Sequence, residues 1–373
     1  MMTQLPDVFP CVPDDLRRFL DRSADVPSPS LIFRRDVMIR NLEAAVALAG
    51  GADRLCPHVK THKCAEIIRL KHAAGIRRFK CATLAEAAMV AEVGADEIVI
   101  AYALFGPEVD RFAELVVRYP GVRWSSLVDA VAGVAALGEI GRDVGCWLDV
   151  DPGMGRTGIV VGQGAAEVVR AVQATSSLTL RGLHVYDGHR REEALDARTA
   201  AVASELAPVL AFRAELGIEG LPIVAGGTPS FPAWVAQGRA DVWYSPGIFV
   251  LHDARDRLRH PDLPFEPAAV LLSRVVSRPG AGRVTLDLGY KALAPDAPLE
   301  SRGAPVGLRA TSVLQSEEHW VLATDAAEAC PPGTRVLVVP DHVCPTIALH
   351  PFAHVIDDDG AVVDRWTIDA RDR

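Results

Sequence analysis

Apolar and polar positions follow two distinct textures along this chain. From about residue 31 to residue 249, short runs rich in Val, Ile, Phe and Trp take turns with longer segments of Ala, Leu, Glu and Arg. Short β-rich runs bounded by turn residues predict strands, and apolar positions recurring every three to four residues predict amphipathic helices. The spacing predicts eight strands, over 54–59, 78–82, 97–101, 122–128, 144–149, 180–186, 222–225 and 241–244. Helices are predicted between them over 64–74, 84–93, 107–118, 130–138, 163–174 and 192–216. Eight strands alternating with helices over roughly 200 to 250 residues is the arithmetic of an α/β fold of the (β/α)8 TIM-barrel type. The rival, a doubly wound open sheet, expects a Gly-rich loop after its first strand. This chain carries a lysine–histidine cluster there instead.

Beyond Pro264 the texture changes. The runs 269–276, 283–288, 320–323, 335–339 and 361–366 are short, β-branched and separated by Pro and Gly turns, which predicts a second, mostly β domain. The stretch 258–267, with three prolines, marks the expected boundary. No internal repeat or low-complexity segment interrupts the pattern.

The bulk properties narrow the function classes. A chain of 373 residues fits one large barrel and a smaller partner domain. A net charge of −9 without any Lys/Arg-rich run argues against nucleic acid and anionic membrane as partners. No apolar stretch approaches the roughly 20 residues that span a bilayer. Residues 1–13 lack a basic segment followed by an apolar one, so no signal peptide is expected. The seven cysteines are scattered without a CxxC pair, which reads as reduced thiols in a cytoplasmic protein.

In a TIM-type barrel the C-terminal ends of the strands face the active site. That rule gathers His58 and Lys60 from strand one, Thr83 from strand two and Asp149 and Asp151 from strand five. Strand six contributes the run His184-Val-Tyr-Asp-Gly-His189, strand seven Gly226-Gly227-Thr228 and strand eight Ser245-Pro246-Gly247. A lysine at the end of a buried strand is costly to desolvate, and burial frees its amine for Schiff-base chemistry. The plain alternative is a surface lysine in a βα loop. The turns after strands seven and eight are where barrels commonly hold a phosphate, because glycine backbones let N–H groups approach the oxygens. Together with Lys60 they suggest a phosphorylated aldehyde cofactor, pyridoxal phosphate. Arg156, in the Gly-rich turn 152–156, is placed to meet an anion, a pyridine nitrogen or a carboxylate. Asp149 and Asp151 flank that turn and read as ordinary turn formers.

His184, Tyr186 and His189 alternate near one strand end and offer an acid/base group at neutral pH, with a core histidine as the bland reading, more for His184 than for His189. In the β domain, His342 and Cys344 lie two apart after an apolar strand. In an extended segment they face one side and offer imidazole and thiolate to a divalent ion, zinc or, in an open site, manganese. The commoner outcome for such a pair is a buried cysteine beside an unrelated histidine.

Several longer motifs stand in fixed order: Pro57-His-Val-Lys-Thr-His-Lys63, Asp149-Val-Asp-Pro-Gly-Met-Gly-Arg-Thr-Gly158, Leu183-His-Val-Tyr-Asp-Gly-His189 and Gly226-Gly-Thr-Pro-Ser230. They continue with Ser245-Pro-Gly247, Asp287-Leu-Gly-Tyr-Lys291, Ser316-Glu-Glu-His319 and Asp341-His-Val-Cys-Pro-Thr346. This series resembles the D-threonine aldolase/D-serine dehydratase family of alanine-racemase-like, fold-type III pyridoxal-phosphate enzymes, from about residue 28 to residue 373.

The resemblance implies that Lys60 is the Schiff-base residue, that Gly226, Gly227, Thr228 and the 245–247 turn (Ser245 and Gly247) hold the phosphate, and that His58, Arg156 and Tyr186 line the cofactor. It implies a divalent metal on His342 and Cys344 and a homodimer that brings residues 317–319 and 342–344 to the site. It also implies that the first residues pair with the β domain, dividing the chain into a barrel of 28–260 and a β domain of 1–27 plus 261–373. One departure is that several D-threonine aldolases carry an acidic residue where this chain has Cys344, while the dehydratase side carries His and Cys.

The expected activity is a lyase acting on D-3-hydroxy amino acids. Removal of the hydroxyl proton by His189 or a metal-bound hydroxide gives retro-aldol cleavage to glycine and an aldehyde. Removal of the Cα proton by Lys60 gives dehydration. A metal-free racemase needs a second base, and the β domain offers no matching tyrosine. A non-catalytic pyridoxal-phosphate carrier has no use for the metal pair.

Overall fold

The computed structural model describes residues 4–372. The chain divides into two compact units: one built from 45–60 and 65–247, the other from residues up to 44, 61–64 and 248–371.

In the first unit, seven strands pair in parallel in sequence order: Arg78–Cys81, Glu97–Ile100, Arg123–Val128, Val144–Val150, Leu178–Val185, Ile223–Ala225 and Val242–Tyr244. Helices Leu84–Val93, Pro107–Arg118, Val131–Gly138, Gln163–Ala174 and Leu195–Glu215 connect them, as their apolar spacing predicts, together with a short helix, Phe231–Val235, that the spacing does not predict. Thr83 caps the first of these, its Oγ1 accepting from the Glu86 N–H at 3.1 Å.

The expected first strand, 54–59, is not a continuous strand. Residues 55–59 close the barrel through parallel bridges Leu55 to Tyr244 and His58 to Lys80. The Cys56 and His58 N–H groups donate to the Tyr244 and Pro246 carbonyls, and Val59 and Lys80 donate to the Lys80 and Pro57 carbonyls. Pro57 has no N–H to give, which interrupts the ladder at its middle. The interior is filled by Cys56, Val99, Leu127, Trp147 and Val224, with Ala101 and Trp243 packed against them.

The second unit carries one nine-stranded sheet. Its path runs Thr311–Gln315, Trp320–Ala323, Arg283–Leu286, Ala269–Ser277, Ser30–Arg34, Phe352–Ile356, Val362–Thr367, and Arg335–Pro340 and Gly303–Pro305 branch from it. Pairing is antiparallel except between Ser30–Arg34 and Phe352–Ile356. Its core collects Leu16, Phe19, Ile32, Val270, Leu272, Leu337, Val339 and Ile356.

The expected barrel boundary at residue 28 is therefore corrected. Every residue of Ser30–Arg34 is buried. That apolarity marks a core strand without saying which sheet it joins, and it joins this one, as do the residues from 248 onward. Near the N-terminus, Gln4 bridges Thr311, and the Leu5 N–H donates to the Ala310 carbonyl at 2.8 Å. Residues 1–3 and 373 of the expected β-domain range lie outside the described residues. Among the described residues no helix is long and apolar enough to cross a membrane.

Candidate active site

Strand residues two apart share a face. Moving two residues up from the apolar barrel filling therefore leads to its inward-facing polar groups. Cys56 is followed by His58 and Lys60, Trp147 by Asp149, Val224 by Gly226, and Trp243 by Ser245 and Gly247. His184 and Tyr186 stand in the same relation on the sixth of the eight staves.

Tyr186 is the hub of this set. The Lys60 Nζ lies 5.8 Å from its ring centroid, the Lys80 Nζ 5.5 Å and the Arg156 guanidinium carbon 4.8 Å. Cations gather over aromatic faces because the ring quadrupole attracts them. Beside the ring runs a hydrogen-bonded string: Lys80 Nζ to His184 Nε2 at 3.2 Å, then His184 Nδ1 to Asp149 Oδ1 at 2.7 Å. The carboxylate can only accept, so His184 carries its proton on Nδ1, and Nε2 receives an N–H of Lys80.

Burial pushes the Lys80 amine down to about 7. Burial and the Lys80 charge hold His184 below the usual imidazole range. Burial works against Asp149, but the His184 hydrogen bond keeps its carboxyl below the usual carboxylate value. His58 is driven well below the imidazole range by burial and then by Lys60 and Lys80, and its Nδ1 accepts from the Lys60 N–H at 3.3 Å. His184 and Asp149, read from sequence as a core histidine and a turn former, thus line the site. Asp151 does act as a turn former, accepting from the Gly153 and Gly155 N–H groups.

The two turns expected to hold a phosphate are tied together, the Gly247 N–H donating to Thr228 Oγ1 at 3.1 Å. They are also tied to the lysine-bearing segment through the bond from His58 N–H to the Pro246 carbonyl at 3.1 Å. Ser245 Oγ is buried with no hydrogen-bond partner among the described residues. A buried hydroxyl without a partner is costly, so a donor left over here fits an anion such as a phosphate. The 226–230 loop is braced from below. The Gly227 N–H donates to Ser230 Oγ (3.1 Å), which donates to Asp187 Oδ1 (2.8 Å), and Trp234 Nε1 donates to Asp187 Oδ2 (2.8 Å). Burial raises the Asp187 carboxyl, and the Trp234 and Ser230 bonds offset part of that.

His189 Nε2 lies 2.9 Å from Glu205, a carboxylate shared with Arg190, and His189 Nδ1 is buried without a partner. An imidazole oriented by a carboxylate, with its other nitrogen unengaged, is the arrangement of a general base.

In the other unit, the extended geometry expected for His342 and Cys344 is not what forms. The strand ends at Pro340, a short helix Val343–Ala348 follows, and His342 is its N-cap. Pro345 at the third helical position is tolerated because its missing N–H would be unsatisfied in the first turn anyway. His342 Nδ1 lies 2.6 Å from Asp296 Oδ2, and Cys344 Sγ 3.2 Å from Thr61 Oγ1. A carboxylate on one ring nitrogen leaves the other for a metal, the usual support of a ligating histidine. Imidazole and thiol are donor types that a divalent ion such as zinc takes. Among the described residues, no three His, Cys, Asp or Glu side chains are grouped to hold one. Glu317 and Glu318 are exposed and pair with Lys291.

The family model for the alanine racemase N-terminal domain matches residues 34–254, more than half of the chain. The chain belongs to this family. A model for a serine dehydratase domain matches residues 268–356. Among curated proteins, a D-threonine aldolase of Arthrobacter sp is 29% identical over 367 residues, covering 94% of each chain. A D-threo-3-hydroxyaspartate dehydratase of Delftia sp. is 25% identical over 373 residues, covering 92% of this chain and 97% of that one. The crystal structure of a D-threonine aldolase from Filomicrobium marinum superposes with a TM-score of 0.84 at 28% identity, covering 93% of this chain and 96% of that one. The resemblance stated from the motifs and the barrel-plus-β-domain fold are both borne out.

Within this alanine-racemase-like frame, sequence reasoning missed Lys80, Asp187 and Glu205. Lys80 carried a readable signal: a lysine between Phe79 and Cys81 inside a barrel strand, bridged to His58 of the lysine motif. Glu205 carried none, since a glutamate on a long helix is ordinarily solvated.

Proposed function

We propose that this chain is a pyridoxal-phosphate- and divalent-metal-dependent lyase of D-3-hydroxy amino acids, cleaving the Cα–Cβ bond to give glycine and an aldehyde. The observation that carries this reading is the Lys60 segment bonded to the 245–247 turn, where Ser245 offers a buried, unpartnered hydroxyl. The similarity to D-threonine aldolases over nearly the whole chain supports the same choice.

Pyridoxal phosphate held at Lys60 supplies a sink for the electron pair left at Cα. Ser245, Thr228 and Gly247 would hold the phosphate end, and the Tyr186 ring would help to orient the substrate. Lys60 would hold the cofactor aldehyde, and its Nζ is the amine that could carry a proton beside Cα. His189 Nδ1 takes the 3-hydroxyl proton while Glu205 holds Nε2 and steadies the imidazolium that forms. The oxygen's electron pair then becomes the aldehyde C=O, and Cα leaves as a glycine once protonated. His342 and Cys344 would hold a divalent ion, and the chemistry it would supply is Lewis acidity.

A second reading, dehydration, is favoured by the serine dehydratase match over residues 268–356, which contain His342 and Cys344. In that reading Lys60 Nζ takes the Cα proton and the hydroxyl leaves as water; the enamine so formed tautomerises to an imine, and a second water hydrolyses it to a keto acid and ammonia.

The test has two arms. Purified protein supplied with pyridoxal phosphate should show a visible absorption band that Lys60→Ala abolishes; a colourless wild type overturns the cofactor assignment. With D-threonine, acetaldehyde and glycine mark the aldolase, and 2-oxobutyrate and ammonia the dehydratase. Neither pair forming, with D-serine also inert, overturns both.

A further inference from the structure

Lys80 is the fully buried charged side chain of strand Arg78–Cys81, 2% exposed, while Arg78, two residues earlier on the same face, is partly exposed and lies 3.9 Å from the Trp243 ring centroid. A buried ammonium requires partners, and this one has a single hydrogen bond in view, to a neutral imidazole nitrogen. The groups facing it from every adjacent element are Cys56, His58 and Lys60 on the closing segment, Asp149 and Arg156 on and after the fifth stave, and His184 and Tyr186 on the sixth. Its register partner on the neighbouring strand, Val99, carries no charge.

We propose that Lys80 is a positioning residue of the Lys60 site: through His184 it fixes Asp149, and its gain or loss of a proton changes the charge beneath the Tyr186 ring. This rests on the cofactor reading above only for what the ring's surroundings act upon; the state of Lys80 is a property of the chain itself. Geometry gives the reason. Lys60, Lys80 and Arg156 all face one aromatic ring, and the single carboxylate of the string, Asp149, reaches Lys80 only across an imidazole. Three full positive charges around one ring repel one another, and the amine deepest in the barrel loses most from being charged. The downward shift of the Lys80 amine to about 7 agrees. His184 accepts from Lys80 in either protonation state, so the string keeps its geometry while its charge changes.

Two measurements test this. In protein labelled at the lysine Cε with carbon-13, the Lys80 signal, assigned by its absence from Lys80→Arg, should titrate with a midpoint near 7; a midpoint above about 9 overturns the proposal. In protein loaded with pyridoxal phosphate, the visible spectrum should change with pH about the same midpoint. Lys80→Met should hold the high-pH spectrum, and Lys80→Arg, a permanent cation, the low-pH one, from about pH 6 to about pH 8. A Lys80→Met protein that keeps the wild-type transition also overturns it, since a merely structural lysine would not move the spectrum. A wild type that takes up no cofactor defeats the proposed function instead, and the carbon-13 midpoint still decides the state of Lys80.

Discussion

Gly226 is where the packing under the phosphate turn can be weighed most directly, through Gly226→Ala. Its φ is +76°, and a Cβ added there would lie 2.6 Å from Trp234 Cδ1 and 3.0 Å from Trp234 Nε1. Holding alanine in the left-handed region costs about 1–2 kcal/mol. Ordinary carbon–carbon contact is about 3.5–4.0 Å, so the indole must retreat by about 1 Å. Trp234 is fully buried and its Nε1 donates to buried Asp187 at 2.8 Å. Overpacking of this kind adds about 1–3 kcal/mol, and weakening a bond to a charged acceptor up to about 1.5–3 more. The expected cost is therefore about 2–8 kcal/mol.

Gly141→Ala is the internal control. Its φ is +65° with nothing within 4 Å of the added Cβ, so only the backbone cost of about 1–2 kcal/mol applies. Urea unfolding followed by tryptophan fluorescence, at unchanged slope, gives both values. Pyridoxal phosphate should also bind Gly226→Ala at least about tenfold more weakly, as the displaced turn carries the phosphate. If Gly226→Ala costs no more than Gly141→Ala, Trp234 is not a rigid floor and the reasoning fails.

Other consequences can be checked alongside. His189→Ala should lower kcat by about 10²–10⁴ and Glu205→Gln by less, in steady-state assays of D-threonine cleavage; unchanged turnover in His189→Ala removes it as the base. Asp296→Asn should weaken metal retention about 10–100-fold on dialysis, read by elemental analysis, and His342→Ala should weaken it further. Burial lowers His252 to about 4, and both its ring nitrogens lack a partner. The unfolded chain binds the proton near 6.5 and the folded one near 4, so the unfolded state holds more protons in between. Stability should fall by about 3 kcal/mol as pH drops through that window, as read by urea midpoints, and His252→Gln should blunt the slope.

The barrel was legible because its strands and helices obey their own periods. Pro107–Arg118 and Gln163–Ala174 form where the apolar spacing places them, since each buries one face against the sheet. What pattern could not supply was partnership between distant residues. Ser30–Arg34 is buried throughout around an apolar centre of Leu31, Ile32 and Phe33, a property shared by core strands of any sheet, so its pairing with Phe352–Ile356 lay beyond local pattern. The extended geometry of 342–344 failed because the strand before it suggested continuation, whereas a helix starts at Val343. The lysine, the glycine turns and the motif order were visible one by one. The string from Lys80 to Asp149 was not, because it joins strands separated by long stretches of chain and exists only when the sheet curls.

The closing segment gives the barrel a seam. Elsewhere neighbouring staves are stitched by regular ladders, but residues 55–59 hold to their two neighbours by a handful of backbone bonds around a proline. Lys60 rides on that edge. Amide exchange should show residues 55–59 opening before the ladders on the far side of the barrel. A ligand bound at once to Lys60 and to the 245–247 turn would act as a buckle across the join. Loading the site and tightening the barrel are then a single event, and an empty protein should be the one that heat and proteases find first.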